Sequence, residues 1–101
     1  MKRKANLKIC VQENPKCANC LSIESVSAHH IIFRSEGGDD SLSNLISLCF
    51  HCHRMAHDGY YIKNTKKEST IYISAKEFMI ELLKRFDPHK YERAIMELEQ
   101  K

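Results

Sequence analysis

Two cysteine pairs of identical spacing constrain this chain more than anything else in it: Cys17 with Cys20, and Cys49 with Cys52. A C-x-x-C turn brings two thiolates onto one cation, and two such turns complete a tetrahedral shell. Secreted disulfide frameworks scatter their cysteines, whereas paired C-x-x-C is metal-ligand spacing. Four sulfurs leave no open coordination position, so zinc held here is expected to be structural. The competing reading, buried or redox cysteines, is the weaker one because two matched pairs are a strong metal signal. The fifth cysteine, Cys10, is read as a small apolar residue in an N-terminal strand.

The size of the chain calls for such a staple. With 101 residues, it is expected to form one domain (1–101), near the lower end of what folds unaided. Zinc binding worth roughly 10–16 kcal/mol in small finger peptides shows how far such a site can stabilise a small fold. The basic start, Met1-Lys2-Arg3-Lys4, is interrupted by Lys8, Gln12, Glu13 and Asn14 rather than followed by an apolar run, so it does not read as a signal peptide. The longest apolar stretch, Leu45 to Phe50, is far too short to cross a bilayer. The expectation is a cytoplasmic chain with reduced thiols and no membrane contact. A net charge of +3 permits a polyanionic partner without demanding one.

Along the chain, Leu7, Ile9 and Val11 alternate as in a short strand, and Asn14-Pro15 turns into the first knuckle. Residues 26–33 are β-branched and aromatic enough for a strand, and 34–44, with Gly37-Gly38-Asp39-Asp40, read as a loop. Leu45 to Leu48 reads as a short buried strand. A helix from about Phe50 to Asp58 is stopped by Gly59. Tyr60-Tyr61-Ile62 and Thr70-Ile71-Tyr72-Ile73 flank a polar stretch and are expected to pair as a hairpin. Ser74 and Glu77 have capping-box spacing, and Phe78, Met79, Leu82, Leu83 and Phe86 form a helical stripe. Asp87-Pro88 predicts an N-cap followed by proline at the first position of a last helix with Tyr91, Ala94, Ile95 and Leu98 on its apolar face. The fold class is α+β: a small metal-centred core stapled by four cysteines, then a hairpin and two supporting helices over 74–100. Their apolar stripes are expected to pack on the body and are also available to a homodimer or a protein partner.

Five of the six histidines, His29, His30, His51, His53 and His57, lie close to the second cysteine pair. His53 and His57 are four apart, so on a helix both imidazoles project from one face and suit one divalent metal. His29 and His30 are adjacent in a strand, so they point to opposite faces and can take different tasks, one on a metal and one on a water. For any single histidine a surface or core role is the better reading; the cluster is what argues otherwise.

The ordered combination Cys17-x2-Cys20, His29-His30-Ile31, Arg34-Ser35-x-Gly37-Gly38, Ser43-Asn44-Leu45, Leu48-Cys49-x2-Cys52-His53-x3-His57-x-Gly59 resembles the HNH endonuclease family in its four-cysteine form, over residues 17–59. That family includes phage and bacterial nucleases, nuclease colicins and one nuclease domain of CRISPR effectors. The resemblance implies a ββα-metal fold, DNA as substrate and a one-metal phosphodiester hydrolysis that nicks or cuts both strands. It implies His29 as the first metal ligand, His30 as the general base, and Asn44 as the residue that usually braces the loop and orients the base and in some members binds metal. It also implies His53 as a ligand, His57 as a second one in some members, and the cysteines as the zinc site. The imidazole-rich set favours Ni²⁺ or Zn²⁺ on affinity grounds, and Mg²⁺ or Mn²⁺ can still serve with oxygen ligands completing the shell.

Arg34 beside the histidine strand reads equally as a phosphate contact or a solvated loop arginine. His51 is left as a phosphate contact and His89 as a surface residue. Lys63, Lys66 and Lys67 read first as a solvated turn and second as DNA-backbone contacts. Tyr60 and Tyr61 are expected to be core or strand residues rather than base-stacking ones. The alternative function is a non-catalytic zinc module that binds nucleic acid or protein. A structural adaptor working through the C-terminal helices is the weakest reading, since it leaves the histidines unused.

Overall fold

Every residue of Leu45–Leu48 is buried, and the other elements are arranged to cover that strand from both sides. A computed structural model of the chain describes residues 2–64, 66 and 69–100, and the side chains among them other than those of residues 2–4 and 64. In chain order the elements are α1 (Lys2–Glu13), β1 (Ser27–His30), β2 (Leu45–Leu48), α2 (Phe50–Asp58), β3 (Tyr60–Asn64), β4 (Ser69–Ile73), α3 (Ala75–Phe86) and α4 (Glu92–Glu99). Short 3-10 turns lie at Arg34–Glu36 and Leu42–Asn44. Two antiparallel pairs, β1–β2 and β3–β4, with the four helices make the fold α+β. Among the described residues, no helix is long and apolar enough to cross a membrane.

The register of the first pair positions the chemistry. His29 lies opposite Ile46 and His30 opposite Leu45. Directly opposed residues of an antiparallel pair share a face, and successive residues alternate between faces. His29 therefore shares the face of Ile46 and Leu48, which joins the core built with Ala56 of α2, Leu82 and Leu83 of α3, and Ile95 of α4. The opposite face meets α1, where the Cys10 thiol lies 3.6 Å from the Ser47 hydroxyl. The last helix is tied to the same strand: Tyr91, 1% exposed, donates its hydroxyl hydrogen bond to the Leu45 carbonyl at 2.7 Å.

The N-terminal segment is a helix, not the strand that Leu7, Ile9 and Val11 suggest. Alternation over five residues is also compatible with i, i+3, i+4 spacing, and Leu7, Cys10 and Val11 have it. Cys10, 3% exposed, is the buried centre of that helical stripe rather than a strand residue. The flanking Lys, Arg, Ala, Gln and Glu residues are strong helix formers. The strand expected over residues 26–33 pairs only from Ser27 to His30. Beyond it, the Ile31 amide donates to the Asn44 carbonyl at 2.8 Å and the Ile32 amide to Asn44 Oδ1 at 2.8 Å. A side chain thus replaces the next rung of the ladder. Asp87 accepts from the Lys90 amide at 3.1 Å, as an N-cap does, but only a turn forms there and regular helix starts at Glu92. The pinned Tyr91, at φ −106° and ψ 17°, breaks the helical line between them.

Elsewhere the local signals and the elements agree. The Cys49 thiol caps α2 by accepting from the Cys52 amide, and Ser74 caps α3 by accepting from the Glu77 amide. Gly59 ends α2 with φ +75°, and a Cβ there would collide with the Ile73 carbonyl and the Tyr72 hydroxyl. Phe78, Met79, Leu82 and Leu83 are buried and Phe86, at 39%, is the exposed end of that stripe. The apolar faces of α3 and α4 are thus spent on the chain's own core. Lys67, read first as part of a solvated turn and second as a DNA contact, lies outside the described residues.

Replacing Tyr91 by Phe removes a buried hydrogen bond and leaves the Leu45 carbonyl unsatisfied. Urea unfolding of the zinc-loaded protein is expected to show a loss of about 1–3 kcal/mol with an unchanged m-value. An unchanged midpoint would contradict the role given to that hydroxyl.

Candidate metal centres

The four paired cysteines converge as their spacing requires: one sulfur from each of Cys17, Cys20, Cys49 and Cys52 lies within 4.8 Å of the others. Tetrahedral zinc–thiolate bonds of about 2.3 Å place neighbouring sulfurs about 3.8 Å apart, and the Cys20 and Cys49 sulfurs are separated by 3.6 Å. The set is therefore compatible with a structural zinc. Three of the four thiols are buried and Cys20 is exposed. Burial raises the Cys17 thiol, but hydrogen bonds from the Cys20, Cys49 and Asn19 backbones outweigh it and hold its pKa down to about 7. Burial pushes Cys52 upward, the position of a thiol that only a cation would render an anion. Asn19 donates to the Cys52 sulfur at 3.3 Å, and its carbonyl oxygen accepts from Arg85 of α3 at 2.7 Å. The C-terminal part of the chain thereby reaches the thiolate cluster through one side chain.

A second cluster forms from nitrogen. Donor atoms of His29, His53 and His57 also lie within 4.8 Å of one another, with His29 buried, His53 half-buried and His57 exposed. One turn of α2 stacks the His53 and His57 rings at 4.9 Å and 10° between planes. The His29 ring meets both edge-on, at 4.7 and 5.1 Å. Phe33 stacks on His57 at 5.0 Å and closes one side. The Ser27 hydroxyl lies 3.3 Å from His53 Nδ1, which leaves Nε2 as the nitrogen available to an ion. His29 is 2% exposed, and its buried Nε2 has no hydrogen-bond partner. Burial first, then the charges that His53, His57 and His30 would carry, bring its pKa down from 6.5 to about 3. His53 is lowered by burial and by His57. Both rings are thus neutral, electron-pair donors at ordinary pH.

His30 stands apart from this trio because of strand alternation. Its Nε2 is 2.7 Å from Asp40 Oδ1, and it lines the same cavity of about 350 Å³ as His29, His53, His57 and Arg34. Asp40 is held from behind. Asn44, buried at 6% exposure, donates from Nδ2 to the carbonyls of Ile32 at 3.0 Å and Asp39 at 2.8 Å, and Asn6 of α1 donates to the Asp40 carbonyl at 2.8 Å. Gly38 allows this close packing, since a Cβ there would fall within the Ile32 carbonyl group. The Ser41 hydroxyl and amide bond to Asp39 and hold its carboxyl below the usual range.

The structure therefore brings together His29, His30, His53, His57 and Arg34 around one cavity, and places Asn44 behind it. His51 and His89 are exposed and outside both clusters. Tyr60 is half-buried against the Phe78 ring at 5.8 Å, whereas Tyr61 is 71% exposed and no part of the core. Sequence reading missed Asp40, Ser27 and Phe33, and the Arg85–Asn19 link. Only Asp40 carried a hint, as one of two aspartates after the glycine pair.

Two outcomes follow from this geometry. Cys17→Ser, at a fully buried ligand position, is expected to lose bound zinc and the cooperative thermal transition together; a full equivalent of zinc with an unchanged Tm would contradict the staple. For His29, an unfolded chain takes up a proton as pH falls below about 6.5 that the folded ring declines until about 3. Its contribution to stability is complete above 6.5 and declines below it by about 1.4 kcal/mol per pH unit. By ¹⁵N imidazole NMR on zinc-loaded chain without other divalent ions, His29 is expected to stay neutral between about pH 7 and about pH 5. A midpoint near the free-imidazole value would contradict its burial.

Both clusters lie within a segment that resembles known proteins. The HNH endonuclease family pattern matches residues 17–59, which run from Cys17, the first of the four clustered cysteines, to the glycine that ends α2. The chain is 36% identical over 58 residues to Anaredoxin of Nostoc sp. strain PCC 7120, covering 56% of this chain and 76% of that protein. It is 43% identical over 42 residues to the type IV methyl-directed restriction enzyme EcoKMcrA of Escherichia coli strain K12, covering 42% of this chain and only 14% of the enzyme. No solved structure matches the chain at comparable significance. The matched segment supplies the cysteine frame, the histidine cluster and the asparagine behind it, and on these grounds the chain belongs to the HNH endonuclease family.

Proposed function

We propose that the chain is a divalent-metal-dependent DNA endonuclease that hydrolyses phosphodiester bonds, with a working ion held by His29, His53 and His57 and with His30 as general base. The observation that carries this reading is the buried, partnerless Nε2 of His29 beside two more imidazoles. A buried polar nitrogen without a partner costs about 1–3 kcal/mol, and a cation shared with His53 and His57 removes that cost. Three imidazole ligands leave coordination positions for water and phosphate oxygens, unlike a closed sulfur shell. A divalent ion bound there supplies positive charge for the scissile phosphate and the departing 3′ oxygen.

The remaining work belongs to the chain's own side chains. A carboxylate only accepts, so the 2.7 Å contact to Asp40 makes His30 Nε2 the protonated nitrogen and leaves the Nδ1 lone pair to take a proton from water. Asp40 is a positioning residue: it fixes the tautomer and stabilises the ring once protonated. Asn44 positions one step further back, by holding the loop from which Asp40 projects. Arg34, at the rim of the cavity, is placed to hold a phosphate oxygen. Residues 1–101 are read as one nuclease domain, with α3 and α4 as its support, and the reduced cysteine cluster suits a reducing compartment such as the cytoplasm.

A zinc module that only binds needs the cysteines alone. It leaves the orphaned His29 nitrogen, the stacked His53 and His57 and the His30–Asp40 pair without a task, which is why the enzyme is preferred. Supercoiled plasmid incubated with zinc-loaded chain and Mg²⁺, Mn²⁺ or Ni²⁺ is expected to be nicked. His30→Ala should lose about 10²–10⁴-fold of that rate with zinc retained, and Asp40→Asn should lose less. Equal nicking by wild type and His30→Ala, or none by either, would falsify the role given to His30.

A further inference from the structure

We propose that the outward face of the β3–β4 hairpin docks the sugar-phosphate backbone of the nucleic acid whose scissile phosphate enters the histidine cavity. The inference rests on the nuclease reading above, and its test reads binding rather than cleavage.

The register of the hairpin sorts its residues. Tyr61 pairs with Tyr72 and Lys63 with Thr70, so these four share one face, while Tyr60, Ile62, Ile71 and Ile73 share the other. The second face begins on the core, against which Tyr60 and Ile73 pack. The first faces outward, with Tyr61 71% and Tyr72 47% exposed and their rings 5.0 Å apart. The Tyr72 hydroxyl donates to the Asp58 carbonyl at 2.8 Å, which fixes that ring at the point where α2 ends.

This face is chemically one-sided. It offers aromatic, hydroxyl and ammonium groups, and the described residues of the hairpin include no carboxylate. Lys63 on β3 and Lys66 beyond its end add two ammonium groups. Lysine, threonine and tyrosine side chains are the usual donors to phosphate oxygens. The hairpin also starts from the site: Gly59, two residues after His57, opens into β3. Five residues of strand extend about 17 Å, the rise of about five base steps of duplex at 3.4 Å each. The Tyr72 hydroxyl touches the residue after His57, so this face begins beside the cavity, and a strand cut there is proposed to continue along it. A second copy of the chain is the less favoured occupant, because pairing two such faces would bring the Lys63 ammonium groups of both copies together.

The test uses fluorescence anisotropy of a labelled DNA duplex with zinc-loaded chain, no other divalent ion added, over a series of salt concentrations. Lys63→Glu and Tyr61→Ala alter exposed side chains, and zinc content and circular dichroism confirm that both variants are folded. Lys63→Glu is expected to weaken binding on the order of tenfold and to reduce the slope of log K against log salt by about one; Tyr61→Ala is expected to weaken it less. His89→Ala, at an exposed residue outside both clusters, is expected to bind as the wild type does. Unchanged affinity and salt slope in Lys63→Glu, or no binding by the wild type, would overturn the proposal. So would variants that lose self-association in sedimentation while keeping DNA affinity. Failure of the nuclease reading is separable: variants that lose binding while no form of the chain nicks plasmid leave the surface standing and remove the catalysis.

Discussion

The tie between Cys17, Cys20, Cys49 and Cys52 is the constraint on which the other contacts depend. The first knuckle is stitched to β2 by the Ala18 amide donating to the Ser47 carbonyl at 2.9 Å. The second knuckle is itself the start of α2, capped by the Cys49 thiol. A cation joining the two would fix the helix against the β1–β2 pair. Since His53 immediately follows Cys52, and His57 stands one turn further on, a filled sulfur shell would also fix where those two imidazoles meet His29. A chain of this size has little core to spare for that task, and a metal in a closed shell performs it with few residues.

Separate chemistry then divides cleanly between two donor sets. Four clustered thiols would close the shell of one cation, and on the proposed reading three imidazoles hold an open one beside a cavity. Strand alternation makes the further division between His29 and His30. The first turns into the core face and meets α2, where burial keeps it neutral; the second turns to the other side and meets Asp40. On the proposed reading this is how two adjacent histidines become a ligand and a base. The loop that presents Asp40 lies between two 3-10 turns and is held by Asn44, whose side chain occupies the place of a missing strand rung.

Much of this was legible in the sequence because it is written in local spacing. The C-x-x-C pairs, the i,i+4 histidines, the strand Leu45–Leu48, Gly59 and the Ser74 cap each depend on residues a few positions apart. The family pattern then located His29, His30 and Asn44 in order. What was not legible depends on distant partners. The helix α1 hid behind a short alternation, and only its packing of Cys10 on Ser47 distinguishes the two periods. Asp39 and Asp40 are equivalent in sequence; Ser41 takes one and His30 the other once the loop is folded. The bond from Arg85 to Asn19 joins α3 to the first knuckle, and no spacing rule reaches so far.

The claim at the centre of this account is that the histidines form a second metal site, distinct from the cysteines. Titrating Mn²⁺ into zinc-loaded chain, followed by NMR of the imidazole groups, tests it directly. The expected result is one Mn²⁺ per chain, broadening His29, His53 and His57 first while the zinc stays in place, with that binding lost in His53→Ala. Broadening confined to surface carboxylates, or undiminished binding in His53→Ala, would contradict it.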